Sequence, residues 1–149
     1  MSLQDKVMHE MKVAMKAKDS VALESLRAIK SAILLAQTEK GVGKGLSEDE
    51  EIRLVQRLVK QRKDSATIYK EQERDDLASA ELAQVEVIEK FLPEQLDEEA
   101  IEKVVRETIQ QLGAEGMKDM GKVMGAVSQK LAGQADGKTI SQIVRKQLV

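Results

Sequence analysis

SEDEEIRLVQRLVKQRKDSATIY, residues 47–69, decides the fold. Ser47 followed three residues later by Glu50 is a capping-box pattern, and Asp49 and Glu51 add negative charge where a helix dipole favours it. Behind this start, Ile52, Val55, Val59, Ala66 and Tyr69 recur at the spacing of one helical face. Neither Gly nor Pro interrupts the run before about Arg74, so the pattern predicts one long amphipathic helix. Asp75 and Asp76 then offer a cap for a further helix, with Leu82, Val85, Ile88 and Leu92 facing inward and Pro93 ending it.

Upstream, the three glycines of GVGKGL, residues 41–46, break a helix capped by Asp19 or Ser20, whose apolar face is Leu23, Leu26, Ile29, Ile33 and Ala36. Before it, Ser2 is the expected N-cap of a first helix carrying Leu3, Val7, Met8, Met11, Ala14 and Met15, which stops near Asp19. Downstream, FLPEQLDEE, residues 91–99, reads as a junction: Pro93 stops one helix, Asp97 caps the next, and Leu96 and Ile101 are placed as a hydrophobic staple. The expectation is an all-α chain, with an N-terminal domain of about four helices over residues 1–92 and a three-helix module over 93–149. Within the module, helices run from Glu98 to about Gln111 before Gly113, from about Asp119 to Leu131 before Gly133, and onward from Asp136. In the last, Ile140, Ile143, Val144 and Leu148 form one face. Gly121 and Gly125 share one face of the middle helix, where another backbone can approach closely, and their propensity cost, roughly 1 kcal/mol each relative to Ala, implies that close packing or contact offsets it.

Composition supports the same class. With one Phe, one Tyr and no Trp, the core must come from Leu, Ile, Val and the seven Met, which pack helix on helix. The absence of Cys excludes disulfides, thiolate catalysis and thiolate metal sites. No apolar run resembles a signal peptide or approaches the ~20 residues of a membrane span, so no membrane partner and a cytoplasmic location are expected. A net charge of -2 argues against a bulk grip on nucleic acid and leaves room for local basic stripes.

Candidates for chemistry are few. The single histidine, His9, has no ligand-spaced partner and reads as a surface residue; no metal site is expected. The acidic run from Glu48 to Glu51 is accounted for by capping. GVGKG resembles the start of a phosphate-binding loop but lacks its closing spacing and a preceding strand, so it reads as a hinge with no cofactor. Arg53, Arg57 and Lys60 fall on one stripe of the long helix, with Arg62 and Lys63 close by, and such a stripe can track phosphates. Asp49 one turn before Arg53 and Asp64 one turn after Lys60 make surface ion pairing the competing explanation.

DMGKVMGAVSQKLAGQADGKTISQIVRKQL, residues 119–148, resembles the signature of the YqeY family and is similar to the tail of the B subunit of the tRNA-dependent Asp/Glu amidotransferase. SLRAIKSAI at 25–33, VKQRKDS at 59–65, RDDLASAE at 74–81 and FLPEQL at 91–96 extend the resemblance over nearly the whole chain. It implies a helical domain followed by the module that, in the amidotransferase, ends the tRNA-binding arm, without the synthase domain that handles ATP. The property it carries over is therefore tRNA contact without catalysis. The expected contacts are Lys122, Lys130, Lys138, Arg145 and Lys146, with Arg53, Arg57, Lys60, Arg62 and Lys63 as a second surface. The family's turn usually reads Gly-Arg-Ala-Asp-Gly, and Gln134 stands here in place of Arg, removing one phosphate contact. Two rival readings are an adaptor that docks an aminoacyl-tRNA synthetase or amidotransferase, and a glutamine-dependent carbon-nitrogen ligase. The lack of a nucleophile or nucleotide site weighs against the second.

Overall fold

The structure is a computed structural model that describes residues 1–41 and 43–149. Val42, in the glycine-rich stretch read as a hinge, lies outside the described residues. The described residues form seven α-helices and no strand: α1 (Leu3–Ala17), α2 (Ser20–Lys40), α3 (Glu48–Glu71), α4 (Asp75–Glu89), α5 (Glu98–Leu112), α6 (Met120–Lys130) and α7 (Gly137–Leu148), with a 3₁₀ turn at Met117–Asp119. They divide into two compact units, Met1–Leu92 and Pro93–Val149.

In the first unit α1 packs on α2, and α3 runs along α4, with α2 against both α3 and α4. Val7, Leu26, Ile29, Ile33, Val55, Val59, Val85 and Ile88 make its core, the apolar stripes read from the spacing. Leu54 is buried too, widening the α3 stripe, whereas Met8 and Met15, expected on the inner face of α1, are 45% and 53% exposed. The inner side of α1 needs only Leu3, Val7, Met11 and Ala14, and the two methionines fall to its flank. Ser2 and Asp5 complete a capping box on α1, and Asp19 caps α2 through the Ala22 N–H at 3.0 Å.

Two helix ends depart from the expected pattern. α3 stops at Glu71, short of Arg74, because the chain turns left-handed at Glu73 (φ 60°) and the Arg74 N–H bonds back to the Tyr69 carbonyl at 2.8 Å. α1 ends the same way at Lys18 (φ 55°), with the Asp19 N–H on the Ala14 carbonyl at 3.0 Å. Non-glycine residues accept this conformation because the returning bonds satisfy otherwise orphaned carbonyls. Asp75 and Asp76 do not cap α4. They lie in its first turn behind Arg74, and Asp76 is held by the Arg74 guanidinium at 3.1 Å, which lowers the Asp76 carboxyl from its ordinary value.

The second unit buries Ile101 and Val105 of α5, Val123 and Val127 of α6, and Ile140, Ile143, Val144 and Leu148 of α7, with Leu131 and Ala135 in the turn between α6 and α7. Asp97 caps α5 through the Ala100 N–H at 2.8 Å, and Gly113 (φ 63°) closes its end. Among the described residues no helix is long and apolar enough to cross a membrane.

Candidate nucleic-acid interface

The sequence turns polar chemistry outward where the second unit has finished its core. α7 starts at Asp136, whose Oδ1 accepts the Thr139 N–H at 2.6 Å. From that cap, the buried positions 140, 143, 144 and 148 fix the helix's rotation and leave Lys138, Gln142 and Arg145 exposed at i, i+4 and i+7, with Lys146 beside them. At about 1.5 Å per residue, Lys138 and Arg145 stand roughly 10 Å apart along the axis on one side. Because Asp136 takes the Thr139 amide and sets a negative charge at the helix start, that end attracts an anion less than freely exposed amides would; the cationic side chains dominate.

The turn before α7 is held by the start of its own unit. Gly133 is buried at φ 77°, and its carbonyl accepts from Gln95 Nε2 at 2.6 Å. The Gln134 carbonyl accepts the Leu96 N–H at 2.9 Å, and the Gln134 N–H reaches the Leu131 carbonyl at 2.8 Å. Position 134 therefore holds the turn through its backbone, and its half-buried side chain is not what fixes the conformation.

On α6, Val123 and Val127 point inward, while Gly121, Lys122, Gly125, Ser128 and Gln129 are exposed. Of the close packing or contact expected to offset Gly121 and Gly125, the packing is absent among the described residues: a Cβ at either would meet nothing within 4 Å beyond the helix's own backbone. These glycines face outward from the unit and present bare backbone.

The ten basic residues that the sequence singles out fall into two groups. Lys130 is engaged, its Nζ donating to Thr108 Oγ1 at 3.0 Å and Gln111 Oε1 at 2.8 Å, which ties the end of α6 to α5. Arg62 donates to Gln84 Oε1 at 2.8 Å and to the Leu58 carbonyl at 3.2 Å, and Lys63 pairs with Glu89 at 3.2 Å, both bracing α3 on α4. Lys60 pairs with Asp64 at 2.8 Å, as the spacing allowed. Arg53 and Arg57 are exposed, and the Asp49–Arg53 pair allowed by spacing is not formed. Among the described residues, Lys122, Lys138, Arg145 and Lys146 make no ion pair and no side-chain hydrogen bond. Gln142, Ser128 and Gln129 share their exposed sides without a basic charge to mark them, although the i+4 offset from Lys138 points to Gln142. His9 is exposed, and the described residues hold no cluster of His, Asp and Glu able to bind a metal.

Charge in the second unit is segregated along the chain. Residues 120–149 carry five Lys and Arg against one acid, Asp136, whereas residues 93–119 carry three against eight acids. The near-neutral total conceals a basic part built from α6 and α7 and an acidic part centred on the start of α5.

The chain is thus all-helical among the described residues, and its second unit is a three-helix module. The chain is a member of the YqeY family: the family model described as Yqey-like protein matches residues 4–148. The E subunit of glutamyl-tRNA(Gln) amidotransferase from Thermococcus sibiricus is 47% identical over 51 residues, which cover 34% of this chain and 8% of that protein. The protein named Altered inheritance of mitochondria protein 41, mitochondrial, of Pyrenophora tritici-repentis is 28% identical over 141 residues, 92% of this chain and 76% of the relative. Its namesake in Clavispora lusitaniae is 37% identical over 98 residues, covering 64% of this chain and 56% of that one. The chain is thus related along part of its length to an amidotransferase component of which it spans only a small fraction.

Proposed function

We propose that the chain is a non-catalytic accessory protein that contacts tRNA through the outward sides of α6 and α7, with Lys122, Lys138, Arg145 and Lys146 as the contacts and Lys130, engaged with α5 at the end of α6, as a further member. The observation that carries this reading is the segregation of charge in the second unit: five basic residues against one acid across α6, the turn and α7, with four of the five free of partners among the described residues. Unpaired cations beside one another on a solvated surface repel, and a polyanion that replaces their counterions relieves that repulsion. The amidotransferase relative, named for glutamyl-tRNA(Gln), supports tRNA as the polyanion. In the first unit, Arg53 and Arg57 are the free members of a second surface, while Lys60, Arg62 and Lys63 serve the fold first. A cytoplasmic location belongs to this reading.

The experiment is anisotropy of labelled total tRNA titrated with the full chain. Saturable binding is expected, weakened by Lys138→Glu with Arg145→Glu at unchanged helicity. A second reading, an adaptor for a synthetase or amidotransferase, is favoured by adjacent exposed leucines on α2, Leu34 at 48% and Leu35 at 62%. It takes over if tRNA does not bind and Leu35→Asp abolishes capture of such an enzyme.

A further inference from the structure

Resting on that reading, we infer that the nucleic acid held by the α6 and α7 side is base-paired A-form RNA, gripped along its backbone, and not an unpaired strand. The second unit contains no aromatic residue: the chain's one Tyr is Tyr69 and its one Phe is Phe91, both in the first unit. Proteins that hold unpaired strands stack successive bases on aromatic side chains, and modules that read single-stranded RNA splay bases onto such rings. The one guanidinium on α6 and α7, Arg145, is all this side offers for stacking.

What it does offer are cations and small hydrogen-bonding groups. α7 exposes Lys138, Gln142 and Arg145 in one row, and α6 exposes Lys122, Ser128 and Gln129. Ammonium and guanidinium groups suit phosphate oxygens, while amides and hydroxyls both donate and accept, as a ribose 2′-hydroxyl requires. Phosphates and 2′-hydroxyls are what an A-form helix displays across its wide, shallow minor groove, and recognition there follows shape more than sequence.

The test is competition against labelled tRNA on the full chain, using a fully paired RNA stem, oligo(U) of equal phosphate number, and a DNA duplex of the stem's sequence. The stem should compete within a few-fold of tRNA whatever its sequence, and oligo(U) about ten-fold or more less well. The DNA duplex should also compete less well than the RNA stem, and Gln142→Ala should narrow that RNA-over-DNA gap. Oligo(U) competing as well as the stem, or a stem whose affinity follows its sequence, would overturn the inference while leaving tRNA contact intact. Failure of the chain to bind tRNA at all would instead remove the reading on which the inference rests.

Discussion

The Leu96 N–H donates to the Gln134 carbonyl at 2.9 Å, joining the stretch of chain that enters the second unit to the turn between its last two helices. Both stretches belong to the motifs that mark the family, and the bond uses backbone atoms alone. Gln134→Arg should therefore leave the unfolding free energy within about 0.5 kcal/mol of the parent, since the half-buried side chain does not hold the turn, while tightening tRNA binding. Gln134→Pro removes the N–H that reaches Leu131 at 2.8 Å and should cost about 1–3 kcal/mol. Equal stability of the two variants would contradict this account of the turn.

Glu51 Oε2 accepts the Leu3 N–H at 2.7 Å, so the first turn of α3 holds the start of α1 from 48 residues away. Leu3 is buried, and its amide has no intrahelical partner of its own. Glu51→Ala should lower stability by about 1.5–3 kcal/mol and speed hydrogen exchange in the first turn of α1. Glu51→Gln, which keeps an acceptor oxygen, should recover part of the loss.

The Lys40 ammonium reaches Glu50 Oε1 at 2.7 Å and the Gly45 carbonyl at 2.9 Å. The hydrogen bond from Lys40, aided by smaller contributions from Ser47, holds the Glu50 carboxyl below its ordinary value. The folded chain thus binds this proton less readily than the unfolded chain. The resulting stabilisation is present above the ordinary glutamate range, about pH 4.3, and is lost as pH falls through the lower, folded value. Urea midpoints of the parent and Glu50→Gln should differ at pH 7 and converge as pH falls through and below that lowered value. A gap that does not change with pH would rule out this origin.

Gly121→Ala and Gly125→Ala place a methyl group where, among the described residues, nothing beyond the helix's own backbone and the adjacent residues lies within 4 Å. Each should stabilise the protein by about 0.5–1 kcal/mol through helix propensity and unfolded-chain entropy. If the bare backbone of α6 lies against RNA, the same variants should bind tRNA more weakly, so that stability and affinity move in opposite directions. A rise in stability with unchanged affinity would place the RNA-binding side elsewhere.

Most of the fold is legible from spacing and caps. Ser2, Asp19, Ser47, Asp97 and Asp136 all accept the capping hydrogen bond their sequence context implies, because a small polar oxygen before an apolar-periodic run has one local partner to satisfy. The departures at the helix ends lie where two local arrangements compete and residue type does not choose between them. Asp76 turns back to Arg74, and α3 ends on a returning bond at Glu73, a residue whose type does not announce a left-handed turn. Of the candidate site, the row Lys138 to Arg145 is readable because burial of Ile140, Ile143 and Val144 fixes its direction. The engagement of Lys130 with Thr108 and of Arg62 with Gln84 spans 22 residues in each case and leaves no local pattern. The outward aim of Gly121 and Gly125 is hidden for a related reason: a helical glycine tolerates both close packing and open solvent.

The most direct test of the central claim is the slope of log affinity for total tRNA against log salt, measured for the parent and for Lys138→Ala, Arg145→Ala, Lys146→Ala combined. The account predicts weaker binding and a slope shallower by about 0.7–0.9 for each phosphate that is no longer engaged, so roughly two to three units for the triple variant, with helicity unchanged. A triple variant that binds tRNA with the parent's affinity and the parent's slope would show that the α7 cations are merely solvated, and would contradict the account.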